Sequence, residues 1–244
     1  MKRIKLTIEY DGTGYSGWQK QPNQKTIQGE IEKAIETSIG EKVEVFGSGR
    51  TDAGVHALGQ TAHFDLTKPV PTEKLQKILN GALPDDISIL SVEEVDENFH
   101  ARFSIKKKCY RYKIFNADKK DAFLANRAAS ERKKLNIKKM KEGAKLLKGK
   151  HNFQGFCSAN TSAQNFEREI YYINIKKDGE FVYVDVCGNG FLYNMVRIIV
   201  GTLIDYSFGK ISLQDIKEAL ERGDRTKAGR TMPPQGLYLK EAIY

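Results

Sequence analysis

The sequence predicts an α+β protein built on antiparallel sheet, and three observations carry that prediction. At the N-terminus Ile4, Leu6, Ile8 and Tyr10 alternate with Arg3, Lys5, Thr7 and Glu9, the period of a strand with one buried face. Asp178-Gly179 separates two strand-like runs, Ile170 to Ile175 and Phe181 to Val186, which is a strong hairpin signal. Strand-helix-strand order recurs in both halves of the 244 residues, with no short fixed repeat, so helices and sheet share each core.

The first strand ends at Asp11-Gly12-Thr13-Gly14. The loop after it carries Tyr15, the only tryptophan, Trp18, and Gln19, Lys20 and Gln21. Aromatics among polar residues can stack on bases, but Trp18 as an anchor of the loop to the core is the favoured reading. Thr26 caps a helix whose Ile27, Ile31, Ala34, Ile35 and Ile39 lie on one face, and Gly40 closes it. Val43 and Val45 lead into Gly47-Ser48-Gly49-Arg50-Thr51-Asp52-Ala53-Gly54-Val55-His56-Ala57. Its three glycines and small residues leave Arg50, Asp52 and His56 as the only strongly polar side chains, an arrangement that presents a carboxylate at close range. Read alone, the glycine spacing favours a tight turn with a surface Arg50–Asp52 ion pair.

Gln60 to Leu66 reads as a strand containing His63, broken by Pro69 and Pro71. Thr72 starts a helix through Leu75, Ile78 and Leu79, with Gly81 at its end. A turn at Pro84-Asp85-Asp86 precedes a strand through Ile87, Ile89 and Val92. After Asn98 to Ser104 comes a long strand, Ile105 to Phe115, in which Lys106, Lys108, Tyr110 and Tyr112 share a face. Two tyrosines beside lysines suit an aromatic, anionic ligand; packing across strands is the plainer alternative. Residues 116 to 136 connect the halves. Asn136 caps a helix with Ile137, Met140, Ala144 and Leu147 inward, and its lysines read as a solvated face that can also contact phosphates. A polar run follows from Ser158 to Gln164.

Gly188-Asn189-Gly190 opens the most hydrophobic helix, Phe191 to Ile204, with Arg197 inside it. An unpaired buried guanidinium costs several kcal/mol, so Arg197 predicts a carboxylate partner; the alternative is an exposed stripe, which Ile198 and Ile199 make narrow. Ser212 with Asp215 forms a capping box for the helix through Ile216, Ala219 and Leu220, stopped by Gly223. The tail from Thr231 to Leu239 is a turn feeding a last strand. The reading divides the chain into 1–105 and 106–244.

Forty Lys plus Arg against 31 Asp plus Glu give a formal charge of +9, which favours a polyanionic partner, with a lysine-rich solvated surface as the plainer alternative. Cys109, Cys157 and Cys187 are odd in number and widely spaced; they fit reduced cytosolic thiols and offer no CxxC pair for a metal or for redox work. No metal is expected. No apolar run reaches membrane-spanning length and Met1-Lys2-Arg3 runs straight into a strand, so a cytoplasmic protein without a membrane partner is expected.

Five stretches, in this order, resemble the tRNA pseudouridine synthase A family: Gly47 to Ala57, Phe99-His100-Ala101-Arg102-Phe103, Tyr110-Arg111-Tyr112, Phe191 to Arg197 and Gly236-Leu237-Tyr238-Leu239. The departures are small, Ser48 where alanine is frequent and Met232 where a smaller residue is usual. The resemblance implies two similar α+β halves sharing one long, mostly antiparallel sheet with helices on one side. It also implies a basic cleft between the halves and a homodimer that grips tRNA. The implied reaction is isomerisation of uridine to pseudouridine on the 3′ side of the anticodon stem-loop, without a cofactor. By the same resemblance Asp52 is the catalytic aspartate, Tyr110 the base-stacking tyrosine, Arg197 the arginine paired with that aspartate, and Arg50 an aid to nucleotide flipping.

The chemistry is consistent with those residue types. Uracil must leave C1′, turn and rejoin through C5, so atoms are conserved and no redox carrier is needed. A carboxylate can attack C1′ or remove the C2′ proton to give a glycal, and the sequence leaves both routes open. Either one wants an ionised, buried carboxylate, which a neighbouring guanidinium favours. The target base must leave its stack at a cost of a few kcal/mol, and stacking on Tyr110, ~1–3 kcal/mol, offsets much of it. His56 reads as packing or hydrogen-bonding; His63, His100 and His151 take no catalytic part, although His100 beside Arg102 can approach RNA. A non-catalytic RNA-binding protein, or a synthase acting at another RNA site, are the alternative readings.

Overall fold

The computed structural model describes residues 1–159 and 161–244; of the polar run from Ser158 to Gln164, Asn160 lies outside the described residues. The chain divides into two compact units, one of Met1–Lys106 with Tyr238–Tyr244, the other Lys107–Leu237.

In the first unit, β1 (Lys2–Tyr10) lies between β4 (Ile87–Val95) and β3 (His56–Leu66), antiparallel to both. Its alternation works as the sequence requires: Ile4, Leu6 and Ile8 are fully buried. The two-residue β2 (Phe46–Gly47) pairs with β3 opposite His63 and Ala62, and β10 (Leu237–Ile243) runs parallel to β3, Tyr238 beside His56. Two helices complete this unit. In α1 (Ile27–Ile39) the Thr26 hydroxyl accepts from Gly29 N–H, and Gly40 closes the helix in the left-handed region at φ 72°. The second, α2 (Thr72–Ala82), buries Leu75 and Leu79. β3 starts at His56 rather than at Gln60, so the glycine-rich motif feeds directly into a strand.

In the second unit, β5 (Lys107–Phe115), β9 (Phe181–Gly188), β8 (Glu167–Asp178) and β7 (Gly149–Asn152) lie side by side and antiparallel. The short β6 (Ala129–Ser130) runs parallel to β5. The hairpin forms where Asp178-Gly179 predicts it, with Asp178 opposite Phe181 and Gly179 at φ 55°. Three helices pack here: α3 (Ile137–Leu147), α4 (Met195–Ser207) and α5 (Leu213–Glu221). Ser212 and Asp215 form the full reciprocal capping box of α5.

Three expectations need correction. α4 starts at Met195, later than the glycines at 188–190, because Asn189 is tied to β8 and Asn194 takes a left-handed conformation at φ 59° just before the helix. Tyr112 does not face a ligand beside Tyr110: it is fully buried, its hydroxyl donates to Pro233 O at 2.7 Å, and its ring fills the space a Cβ on Gly236 would need. The thiols are not all free. Antiparallel pairing of β5 with β9 sets Cys109 directly opposite Cys187, Cα atoms 4.1 Å apart, and their sulfurs are bonded; buried Cys157 alone is free.

Candidate active site

The loop from Gly47 to Val55 is fixed from both ends before it presents anything. Ser48 N–H donates to Thr61 O at 2.7 Å, the Ser48 hydroxyl to Gln60 Oε1 at 2.5 Å, and Gln60 Nε2 back to Gly49 O at 2.8 Å. Gln60 is fully buried, as are the neighbouring β3 residues His56, Thr61 and His63 to within a few per cent, and its amide is satisfied by the loop it holds. On the other side Trp18 N–H donates to Thr51 O at 3.0 Å, and the Tyr10 and Thr51 hydroxyls lie 2.8 Å apart. Trp18 is 2% exposed, so the favoured reading of it as an anchor holds.

The glycines are there for close approach. A Cβ on Gly47 would stand 2.5 Å from the Trp18 indole, and one on Gly12 would collide with the Val55 carbonyl oxygen. Gly54 turns the chain at φ 75°, and Val55 N–H donates to Asp52 O at 3.1 Å. Asp52 therefore sits on a short, braced arch. Its side chain is partly exposed where full burial was expected, and Arg50, two residues earlier, is exposed and forms no ion pair among the described residues. The plain alternative of an Arg50–Asp52 surface pair is thereby removed.

His56 belongs to the brace. It is 2% exposed, accepts from Gly12 N–H at Nδ1 (3.0 Å), lies 3.2 Å from Asp11, and stacks on Tyr238 at 4.6 Å. His63 accepts from Ala101 N–H at 3.2 Å, and its imidazole is pushed down to about 4 by burial, with His100 and Arg3 adding to the shift. Phe46, Phe99 and His100 gather around it, His100 at 4.6 Å, and Phe103 lies against His100 at 4.3 Å. The run Phe99 to Phe103 is thus the flank of the loop's first residue.

In the second unit Tyr110 projects from β5, 8% exposed, with the edge of Phe191 against its ring at 5.2 Å and 88°. Arg197 occupies the first turn of α4. Its Nε donates to Met232 O at 2.6 Å and its terminal nitrogen to Asn194 Oδ1 at 2.6 Å, while Met232 N–H donates to Arg197 O at 3.2 Å. Asn194, which the sequence reading did not single out, both turns the chain and orients the guanidinium. Arg111, next to Tyr110, is held bidentately by Asp185 at 2.7 and 2.8 Å on the opposite face of β5. No group of three or more His, Cys, Asp or Glu among the described residues is placed to hold a metal ion, and no helix among them is long and apolar enough to cross a membrane.

Against known proteins, residues 6–104 and 144–244 match the model of a family described as tRNA pseudouridine synthase. Among its curated relatives are three proteins called tRNA pseudouridine synthase A, each covered in full and each covering this chain in full. That of Brevibacillus brevis is 48% identical, and those of Caldicellulosiruptor bescii and Ruminiclostridium cellulolyticum are 47% identical.

Proposed function

The chain belongs to the tRNA pseudouridine synthase family, and on that premise we propose that Asp52 is the carboxylate with which it isomerises uridine to pseudouridine on the 3′ side of the tRNA anticodon stem-loop. The observation that carries this reading is the braced loop, in which Gly12, Gly47, Trp18, Tyr10 and Gln60 all act to hold the backbone on either side of one partly exposed aspartate. A loop that merely turned the chain would need none of them.

The supporting roles follow from the types of group. Asp52 attacks C1′ as uracil leaves as its N1 anion, or removes the C2′ proton to leave a glycal; the freed base turns, and C5 bonds to C1′ as the Asp52 ester breaks or as C2′ takes its proton back, after which C5 loses a proton and N1 gains one. Arg197, oriented by Asn194 and the Met232 carbonyl, is the partner of that carboxylate, favouring its charged form. Tyr110 stacks on the flipped uracil, and the unpaired Arg50 assists the nucleotide out of its helix. The enzyme works in the cytoplasm as a homodimer, where tRNA is the substrate and no cofactor takes part.

The experiment is tritium release from tRNA labelled at uridine C5. Wild type should release it, and Asp52→Ala should bind tRNA yet release none. Substantial release by that variant would sink the assignment of Asp52, and a pseudouridine map confined to other positions of tRNA would correct the site. Light scattering checks the dimer.

A further inference from the structure

Positive charge is not spread evenly along this chain. Residues 131–150 hold nine Lys or Arg against two Glu, a surplus of seven out of the whole chain's formal +9. Both acids are occupied elsewhere: Glu131 pairs with Arg230 at 2.6 Å and Glu142 accepts from the Tyr206 hydroxyl at 2.7 Å. Lys138, Lys141 and Lys145 stand three and four residues apart on one exposed face of α3, and Lys134 and Lys148 continue that spacing beyond its ends. None of these five ammonium groups meets an acid among the described residues.

That arrangement works against the helix. Like charges three and four residues apart repel, and the first turn of α3 holds Lys138 and Lys139 with no acid, against the helix dipole. A merely solvated face is ordinarily laced with both signs. The opposite face, with Met140, Ala144 and Leu147 buried, is spent on the core, so α3 has no apolar side left to enter a lipid bilayer. A helix some 16 Å long carrying unpaired cations in a row fits a row of phosphates.

We propose that Lys134, Lys138, Lys141, Lys145 and Lys148 form a track for the sugar–phosphate backbone of tRNA. This rests on the reading of tRNA as the substrate and adds the surface that grips it.

The test compares the wild-type chain with a Lys138→Gln, Lys141→Gln, Lys145→Gln variant. Binding of an unmodified tRNA transcript is followed across a salt series, with thermal melting of each protein beside it. The variant should bind roughly tenfold or more weakly at low salt, and the slope of log K against log salt should flatten by about two to three. It should melt no lower than wild type and keep its kcat while KM rises, and arginine at the same three positions should restore the slope. An unchanged slope overturns the proposal, as does lost binding to phosphatidylglycerol vesicles with the tRNA slope intact. A slope lost in the variant, with no pseudouridine formed by wild type, would instead reject the enzyme and keep the track.

Discussion

The Tyr10 hydroxyl and the Thr51 hydroxyl meet at 2.8 Å in a buried site, one residue before Asp52. Thr51 is gripped a second time through its carbonyl by Trp18 N–H, so the backbone leading into the carboxylate has little freedom to turn. Tyr10→Phe keeps the ring and removes the hydroxyl. It should cost about 1 kcal/mol in urea unfolding and lower single-turnover pseudouridine formation more than it lowers tRNA affinity. A fall in affinity alone would place Tyr10 in binding rather than in holding the loop.

Gly47→Ala puts a methyl group 2.5 Å from an indole that is itself 2% exposed. The ring cannot swing into solvent without opening the core, so the cost should be about 1–3 kcal/mol. Trp18 is the sole tryptophan, which makes its fluorescence a direct reporter. The emission should shift to the red as turnover drops.

Tyr110→Phe retains the edge contact with Phe191 and any stacking on uracil. If the ring is what counts, turnover should stay within a few-fold of wild type, while Tyr110→Ala should lose roughly ten- to a hundredfold, the equivalent of ~1–3 kcal/mol of stacking. Collapse of turnover in the phenylalanine variant, with affinity unchanged, would give the hydroxyl a part in proton transfer.

His63 predicts acid sensitivity. Burial pushes its imidazole down to about 4 from an ordinary value of 6.5, so between those limits the unfolded chain holds a proton that the folded one does not. Its stabilising contribution is complete above about pH 6.5 and is lost as the pH falls toward 4, by on the order of 3 kcal/mol in all. A proton on Nδ1 would also displace the Ala101 N–H it accepts. Urea midpoints taken from about pH 7.5 down to about pH 5 should fall, and less so in His63→Phe, measured against that variant's own midpoint at neutral pH.

Features fixed by a few adjacent residues were legible in the sequence. The Ser212–Asp215 box, the Thr26 and Asn136 caps, the Gly40 stop and the Asp178-Gly179 hairpin are all hydrogen-bonding solutions available within four residues, and each forms where it was expected. What escaped depends on register between distant strands. Cys109 meets Cys187 only through the register of β5 on β9, and Tyr112 meets Gly236 only because the turn before β10 folds back onto β5, and neither pairing leaves a local trace. The arginines divide the same way: composition marked Arg197 as anomalous on an apolar helix, but the Asn194 turn and the Met232 carbonyl that aim it are set by φ at one residue and by a segment 35 residues on. In the loop, glycine spacing revealed that something comes close, and the fold supplied what it is.

The strand β10 has a consequence for how the molecule is made. Residues 238–244 complete the sheet of the first unit, where Tyr238 covers His56, yet they leave the ribosome only after every residue of the second unit. A nascent chain can therefore finish its second unit while the first, which bears Asp52, still lacks a strand. Vectorial synthesis delays completion of pairing along the strand that follows the Gly47–Val55 loop until residues 238–244 have emerged, and an arrested or clipped product missing those seven residues would hold a second unit complete in its residues and a first unit that lacks a strand.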